Sequence, residues 1–83
     1  MHFVKRFDYD CVIFILMYKL PERLKDLRAE KGLSQRDLAK AANLSQGAIY
    51  LWENDQRVPN AKAVIALAVF FNVSSDYLLG LEN

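Results

Sequence analysis

One cysteine, one histidine, three glycines and two prolines are all that this chain holds of the residues that build disulfides, metal sites, phosphate-cradling loops and rigid turns. Cys11 has no partner for an internal disulfide and belongs to no zinc-ligand set, which fits a reducing cytoplasm. A small apolar side chain in a packed segment is a plainer role for it than redox sensing. His2, the sole histidine, sits at the terminus. No glycine loop, metal cluster or nucleophile–base set is present, so the residues point away from an enzyme, a metal and a cofactor. Lysine and arginine are also missing after Lys62. The longest bulky apolar run, Cys11 to Tyr18 (CVIFILMY), is far short of the roughly 20 residues that a membrane-spanning helix needs.

What is present suits one small folded domain. Eighty-three residues, 53% of them apolar, allow a modest core, and a net charge of +1 is not that of a basic nucleic-acid-binding tail. Charge position therefore matters more than charge sum. From Lys19 to Lys40 the basic residues Lys19, Arg23, Lys25, Arg28, Lys31, Arg36 and Lys40 outnumber the acids Glu22, Asp26, Glu30 and Asp37. The pattern predicts a mildly basic face in the first half and a neutral, apolar end suited to protein contact. Over Lys19 to Lys31, interleaved charges that simply solvate a helix face are the simpler account.

The most informative stretch is Ser34 to Asn54, SQRDLAKAANLSQGAIYLWEN. Ser34 with Asp37 three positions on is a helix start: the serine oxygen takes a free backbone N–H and the acid faces the positive helix end. Leu38, Ala39 and Ala42 then form a narrow apolar stripe, with Arg36 and Lys40 outward. Asn43 tolerates the left-handed dihedrals that end a helix, Leu44 plugs the corner, and Ser45 caps a second helix from about Gln46 to Glu53. Ile49 and Trp52 are its buried stripe, while Gln46, Gly47, Tyr50, Leu51 and Asn54 point away from it.

Around this pair, Pro21 and Gly32 bound a first helix over Pro21 to Lys31, with Leu24, Leu27 and Lys31 on one stripe. Asn60 caps a fourth, in which Val64, Leu67, Ala68 and Phe71 recur at helical spacing; Asn72 ends it. Ser74 caps a short fifth helix that stops at Gly80. Asp55 to Pro59 reads as a loop.

SQRDLAKAANLSQGAIYLWEN, with Pro59 and the later FFNVSSDYLLG, resembles the helix-turn-helix domain of the Cro and lambda-repressor-like (XRE-type) transcriptional regulators. The likeness covers Leu20 to Gly80. It implies an all-α, compact five-helix DNA-binding domain over residues 20–83, preceded by an apolar extension over residues 1–19. It also implies a sequence-specific regulator of transcription, a repressor or phage-type switch protein, that binds double-stranded DNA as a dimer.

In the resembled family the third helix enters the major groove and the second crosses the backbone. Carried onto this sequence, the base readers are Gln46, Gly47, Tyr50 and Leu51, with Gln46 matched to adenine. Tyr50 and Leu51 stand where many relatives carry short polar or basic residues, so a protein-contact surface is the alternative for them. Gln35 at the start of the second helix is a phosphate ligand, as are Asn54, Gln56 and Arg57 in the loop beyond the reading helix. Arg36, Lys40 and Lys62 are either phosphate contacts or solvated surface charges. Arg28 and Glu53 match a structural ion pair joining the first helix to the reading helix.

The homodimer contact is expected through the N-terminal segment, the C-terminal end with Phe70, Tyr77, Leu78 and Leu81, or both, with core as the alternative role for much of Phe71, Leu78 and Leu79. Cys11 to Tyr18 has strand composition, and an intermolecular β-ribbon stands beside helix-docked or helical alternatives for it. Met17 begins MYKLPERLKDLR, an ordinary start for the resembled family, so an over-called start codon is a second account of the residues before it. Lys5 and Arg6 ahead of the apolar run are not a secretory signal, because Asp8 and Asp10 intervene and no cleavage site follows. A different functional class, a protein-interaction module such as the antitoxin of a toxin–antitoxin pair, is the competing reading, and a toxin gene next door would favour it.

Overall fold

A computed structural model describes residues 18–82. The strand expected over Cys11 to Tyr18 therefore lies outside the described residues except for Tyr18, which is part of an irregular lead-in. The described residues form five helices and no strand: α1 Leu20–Glu30, α2 Gln35–Ala42, α3 Gln46–Glu53, α4 Ala61–Phe71 and α5 Ser75–Leu79.

Local chemistry sets each boundary. At the N-termini, Ser34, Ser45, Asn60 and Ser74 each accept a backbone N–H two or three residues into the helix, from Asp37, Ala48, Ala63 and Tyr77. Each such cap contributes about 1 kcal/mol. Ser34 and Asp37 complete a reciprocal capping box. α1 has no side-chain cap and opens on Leu20, with Pro21, whose ring presets a helical φ, in its first turn.

The C-termini share one device. Gly32, Asn43, Asp55, Asn72 and Gly80 all have positive φ, and each follows a helix. In every case the next residue returns its N–H to a carbonyl five positions back, as in Leu33 to Arg28 (3.1 Å), Leu44 to Ala39 (2.8 Å) and Gln56 to Leu51 (2.9 Å). Val73 to Ala68 and Leu81 to Asp76 complete the set. Asp55 is the unexpected member, since aspartate is a poorer left-handed residue than glycine. Its place was legible only as loop.

The core is shared across all five helices. Leu20 and Leu24 of α1, Leu38 of α2, Ile49 of α3, Leu67 of α4 and Leu78 of α5 are fully buried. Burial of each such side chain stabilises by about 1.5–3 kcal/mol, so no helix is a dispensable appendage. α1 packs on α3 and α5, α2 on α3 and α4, and α4 on α5.

One expectation needs correcting. Lys31 is exposed and lies past Glu30, the last residue of α1, whose buried stripe is Leu20, Leu24 and Leu27. Of the two roles open to Leu78 the structure gives it the core; Ile65 and Val69 of α4 and Leu81 beyond α5 are exposed.

Two polar contacts draw the ends of the domain together. Lys19 donates its amide to Leu79 O at 3.0 Å. The Arg23 guanidinium lies 4.2 Å over the Tyr77 ring and donates to the carbonyls of Tyr77 and Glu82. A cation over an aromatic face and on carbonyls at a helix C-terminus is favourable on both counts. Nothing in the spacing of residues 23, 77 and 82 announced it.

Candidate nucleic-acid interface

α2 and α3 meet at the corner Asn43 to Ser45. Asn43 turns the chain out of α2 with φ 57°, and Ser45 restarts it in extended conformation. Leu44, half-buried between them, packs against the core. Leu38, Ile49 and Trp52 lock the two helices from beneath. What remains outward on α3 is a short strip of exposed residues, Gln46, Gly47 and Tyr50, with Leu51 half-buried beside them.

The helix starts supply free backbone donors. The capping box occupies the amides of Ser34 and Asp37. That leaves the amides of Gln35 and Arg36, the first two of α2, without an intrahelical acceptor. Gln46 and Gly47 have the same standing at the start of α3. One open hollow joins these two starts, lined by Arg28, Ser34, Gln35, Arg36, Asp37 and Gln46. Helix starts beside an open hollow that Arg28 and Arg36 line together with Asp37 are suited to an anion.

Beneath the hollow sits a bidentate pair. Arg28 Nε donates to Glu53 Oε2 at 2.7 Å and Arg28 Nη2 to Glu53 Oε1 at 3.0 Å. The Glu53 side chain is 2% exposed and that of Arg28 22%, so the acid is the deeply buried partner and the base reaches the hollow. Arg28 Nη1 also donates to Leu33 O at 2.8 Å, tying the α1–α2 turn into the pair. Hydrogen bonding to Glu53, aided by its charge and opposed by burial, pushes the guanidinium above its ordinary pKa. A third donor, Gln35 Nε2, reaches Glu53 Oε1 at 3.0 Å. Residues 35 and 53 are 18 apart on different helices, and no local pattern signals their contact.

The other candidate residues are spread around this centre. Arg36 and Lys40 are exposed on α2, and Lys62 is exposed in the first turn of α4. Gln56 and Arg57 are exposed in the loop after α3. No ion pair among the described residues engages any of these four cations. Asn54 is exposed, but its Nδ2 donates to Tyr50 O at 2.8 Å and so helps to close α3, which leaves its oxygen as the outward end. At Gly47 an added Cβ would meet only Ser45 Oγ, at 3.8 Å. The glycine is therefore not required by the fold.

Tyr18 is half-buried in the lead-in to α1. Burial and then the charge of Asp55 push its phenol above the ordinary tyrosine range, which puts the lead-in to α1 beside the turn after α3. Among the described residues no group of histidines, cysteines or acids is arranged to hold a metal, and no helix is long and apolar enough to cross a membrane.

A capped helix laid across a second, whose polar outer strip and open N-terminal amides face a common hollow, defines a helix-turn-helix DNA-binding domain. The profile of the helix-turn-helix family matches residues 24–78. The chain belongs to this XRE-type family of non-enzymatic DNA-binding transcriptional regulators.

The HTH-type transcriptional regulator ImmR of Bacillus subtilis is 36% identical over 64 residues, 77% of this chain and 50% of that protein. The HTH-type transcriptional activator BcrR of Enterococcus faecalis is 38% identical over 62 residues, 75% of this chain and 30% of its own length. The chain thus spans half or less of these curated relatives. The crystal structure of the restriction-modification controller protein C.AhdI from Aeromonas hydrophila aligns with a TM-score of 0.68 at 30% identity, over 76% of this chain and 96% of that one.

Proposed function

We propose that this protein is a sequence-specific regulator of transcription that acts in the cytoplasm and reads operator DNA as a homodimer, with α3 in the major groove and α2 across the backbone. The observation that carries the reading is the shared hollow at the starts of α2 and α3, where open backbone donors meet Gln46 and Arg36. Gln46, exposed at the first position of α3, hydrogen-bonds adenine through both ends of its amide, worth about 1–3 kcal/mol of discrimination. Gly47 lets the helix approach, Leu51 meets a thymine methyl, and Tyr50 meets a base edge or a phosphate.

The backbone is held from both sides. Gln35 and the amides beside it take a phosphate at one end; Asn54, Gln56 and Arg57 take another beyond α3, with Arg36, Lys40 and Lys62 as outer contacts. Arg28 and Glu53 hold the frame. Repression by occupying an operator is the outcome we assign; the relatives, whose names include a transcriptional regulator and a transcriptional activator, support a role in transcription.

One domain makes few phosphate contacts, so useful affinity takes two copies on half-sites about 34 Å apart. The second copy seats on the exposed face of α4 that carries Ile65 and Val69 four residues apart. The absence of lysine and arginine after Lys62 lets like surfaces meet with little repulsion. Selection of bound sequences from a random DNA pool tests the reading. A palindromic site is expected, and Gln46→Ala relaxes one position in each half. Failure to enrich any sequence at low salt removes the regulator.

A further inference from the structure

Glu53 accepts more hydrogen bonds than an ion pair requires. Its two oxygens take Arg28 Nε at 2.7 Å, Arg28 Nη2 at 3.0 Å and Gln35 Nε2 at 3.0 Å. An ionised carboxylate accepts and never donates, so only one end of the Gln35 amide can face it. The nitrogen is held at Glu53, which leaves the Gln35 carbonyl oxygen and one N–H unengaged by the carboxylate. Arg28 occupies the same carboxylate from its other side, so the two oxygens are shared between a guanidinium and the Gln35 amide.

Gln35 is half-buried, opens α2 and lines the same hollow as Gln46. The orientation of its amide therefore decides whether that edge of the hollow offers an acceptor or a pair of donors. A free glutamine would sample both. From this geometry we infer that Glu53 is a positioning residue for recognition: by fixing the Gln35 amide it sets the polarity with which the start of α2 meets DNA. The inference rests on the DNA-binding reading above. It gives Glu53 a duty that is separate from stabilising the fold, because a glutamine at position 53 can still accept from Arg28 yet can turn either end of its own amide toward Gln35.

The test combines side-chain amide NMR of the free chain with affinity for the operator selected from a random pool. In the free protein the Gln35 amide protons are shifted and protected from solvent exchange relative to those of the exposed Gln56, and Glu53→Gln makes the two alike. Gln35→Met lowers the thermal midpoint but leaves the chain folded, since Glu53 Oε1 keeps Arg28 Nη2, and it weakens operator binding of the folded protein about tenfold, the loss of one well-placed hydrogen bond. Glu53→Gln added to Gln35→Met weakens binding of the folded protein no further, since its effect on recognition passes through Gln35. Should Glu53→Gln fail to fold, the wild-type NMR and Gln35→Met carry the test.

Three results overturn the role. They are a Gln35 amide indistinguishable from that of Gln56, a Gln35→Met variant that binds as the wild type does, or losses from the two variants that multiply. A chain that selects DNA but shows a solvent-averaged Gln35 amide loses the positioning role alone. A chain with a protected Gln35 amide that selects no DNA loses the DNA-binding reading, and the positioning role falls with it.

Discussion

The two halves of the domain bury and expose opposite things. In α1 to α3 the core includes a carboxylate, Glu53, and the outer strip is polar, with Gln46, Gly47 and Tyr50 exposed. In α4 and α5 the buried residues Ala63, Val64, Leu67, Ala68, Phe71 and Leu78 are all apolar, and so are the prominent exposed ones, Ile65, Val69 and Leu81. A buried charge is a poor way to gain stability, because desolvation cancels much of the attraction. Its use here is directional: the Glu53 network ties α1, α2 and α3 together by bonds with fixed angles. In the C-terminal half the directed polar ties sit at the end of α5, where Arg23 and Lys19 reach it, while the outer face of α4 offers area, not aligned donors.

Removing Arg28 breaks the first half most severely. Arg28→Ala leaves Glu53, 2% exposed, with Gln35 as its remaining side-chain donor. The expected loss is about 3 to 5 kcal/mol, read by urea or thermal unfolding. Because the Arg28 pKa is raised in the fold, its contribution is complete at every pH below the ordinary arginine range and is lost only on titration above it. The wild-type pair therefore gives no pH dependence near neutrality through Arg28. A variant with wild-type stability would show that the pair orients the helices without holding them, and the contrast between the halves would have to be redrawn.

The caps, the corner and the apolar stripes were readable along the chain because each is local. Ser34 with Asp37, Ser45, Asn60 and Ser74 are signals within four residues of the atoms they satisfy, and Gly32, Asn43, Asn72 and Gly80 follow the last periodic residue of their helices. Asp55 escaped because its side chain advertises a turn without specifying left-handed backbone. The Arg28–Glu53 pair was legible only through family resemblance. The link from Gln35 to Glu53 and the stacking of Arg23 on Tyr77 were not legible at all, since both depend on how helices far apart in sequence cross. Leu78 and Leu81 look alike in sequence, yet one is fully buried and the other 60% exposed; the end of α5 at Gly80 separates them.

Gly47→Ala separates fold from function within the first half. The position is helical, exposed and open, with Ser45 Oγ at 3.8 Å as the only neighbour of an added methyl. Helix propensity alone should raise stability by about 0.8–1 kcal/mol. The same methyl stands on the strip assigned to the groove, so operator affinity is expected to fall while the thermal midpoint rises. Equal or tighter binding by the alanine variant would move the DNA contact off this edge of α3.

The smallest effect on stability is expected at the surface of the second half. Val69 is 74% exposed and Ile65, one turn away on α4, is 59% exposed, so neither contributes much to the monomer fold. Val69→Lys should change unfolding free energy by less than about 0.5 kcal/mol. If this face joins two copies, the substitution places two like charges across the contact and desolvates them, and the oligomer seen by light scattering should dissociate. Operator binding should then fall steeply, to that of one copy on one half-site, while binding to an isolated half-site is unchanged. A Val69→Lys chain that stays associated would remove α4 from the interface. Loss of half-site binding as well would mean that the apolar half does not merely supply area, but also shapes the reading surface some distance away.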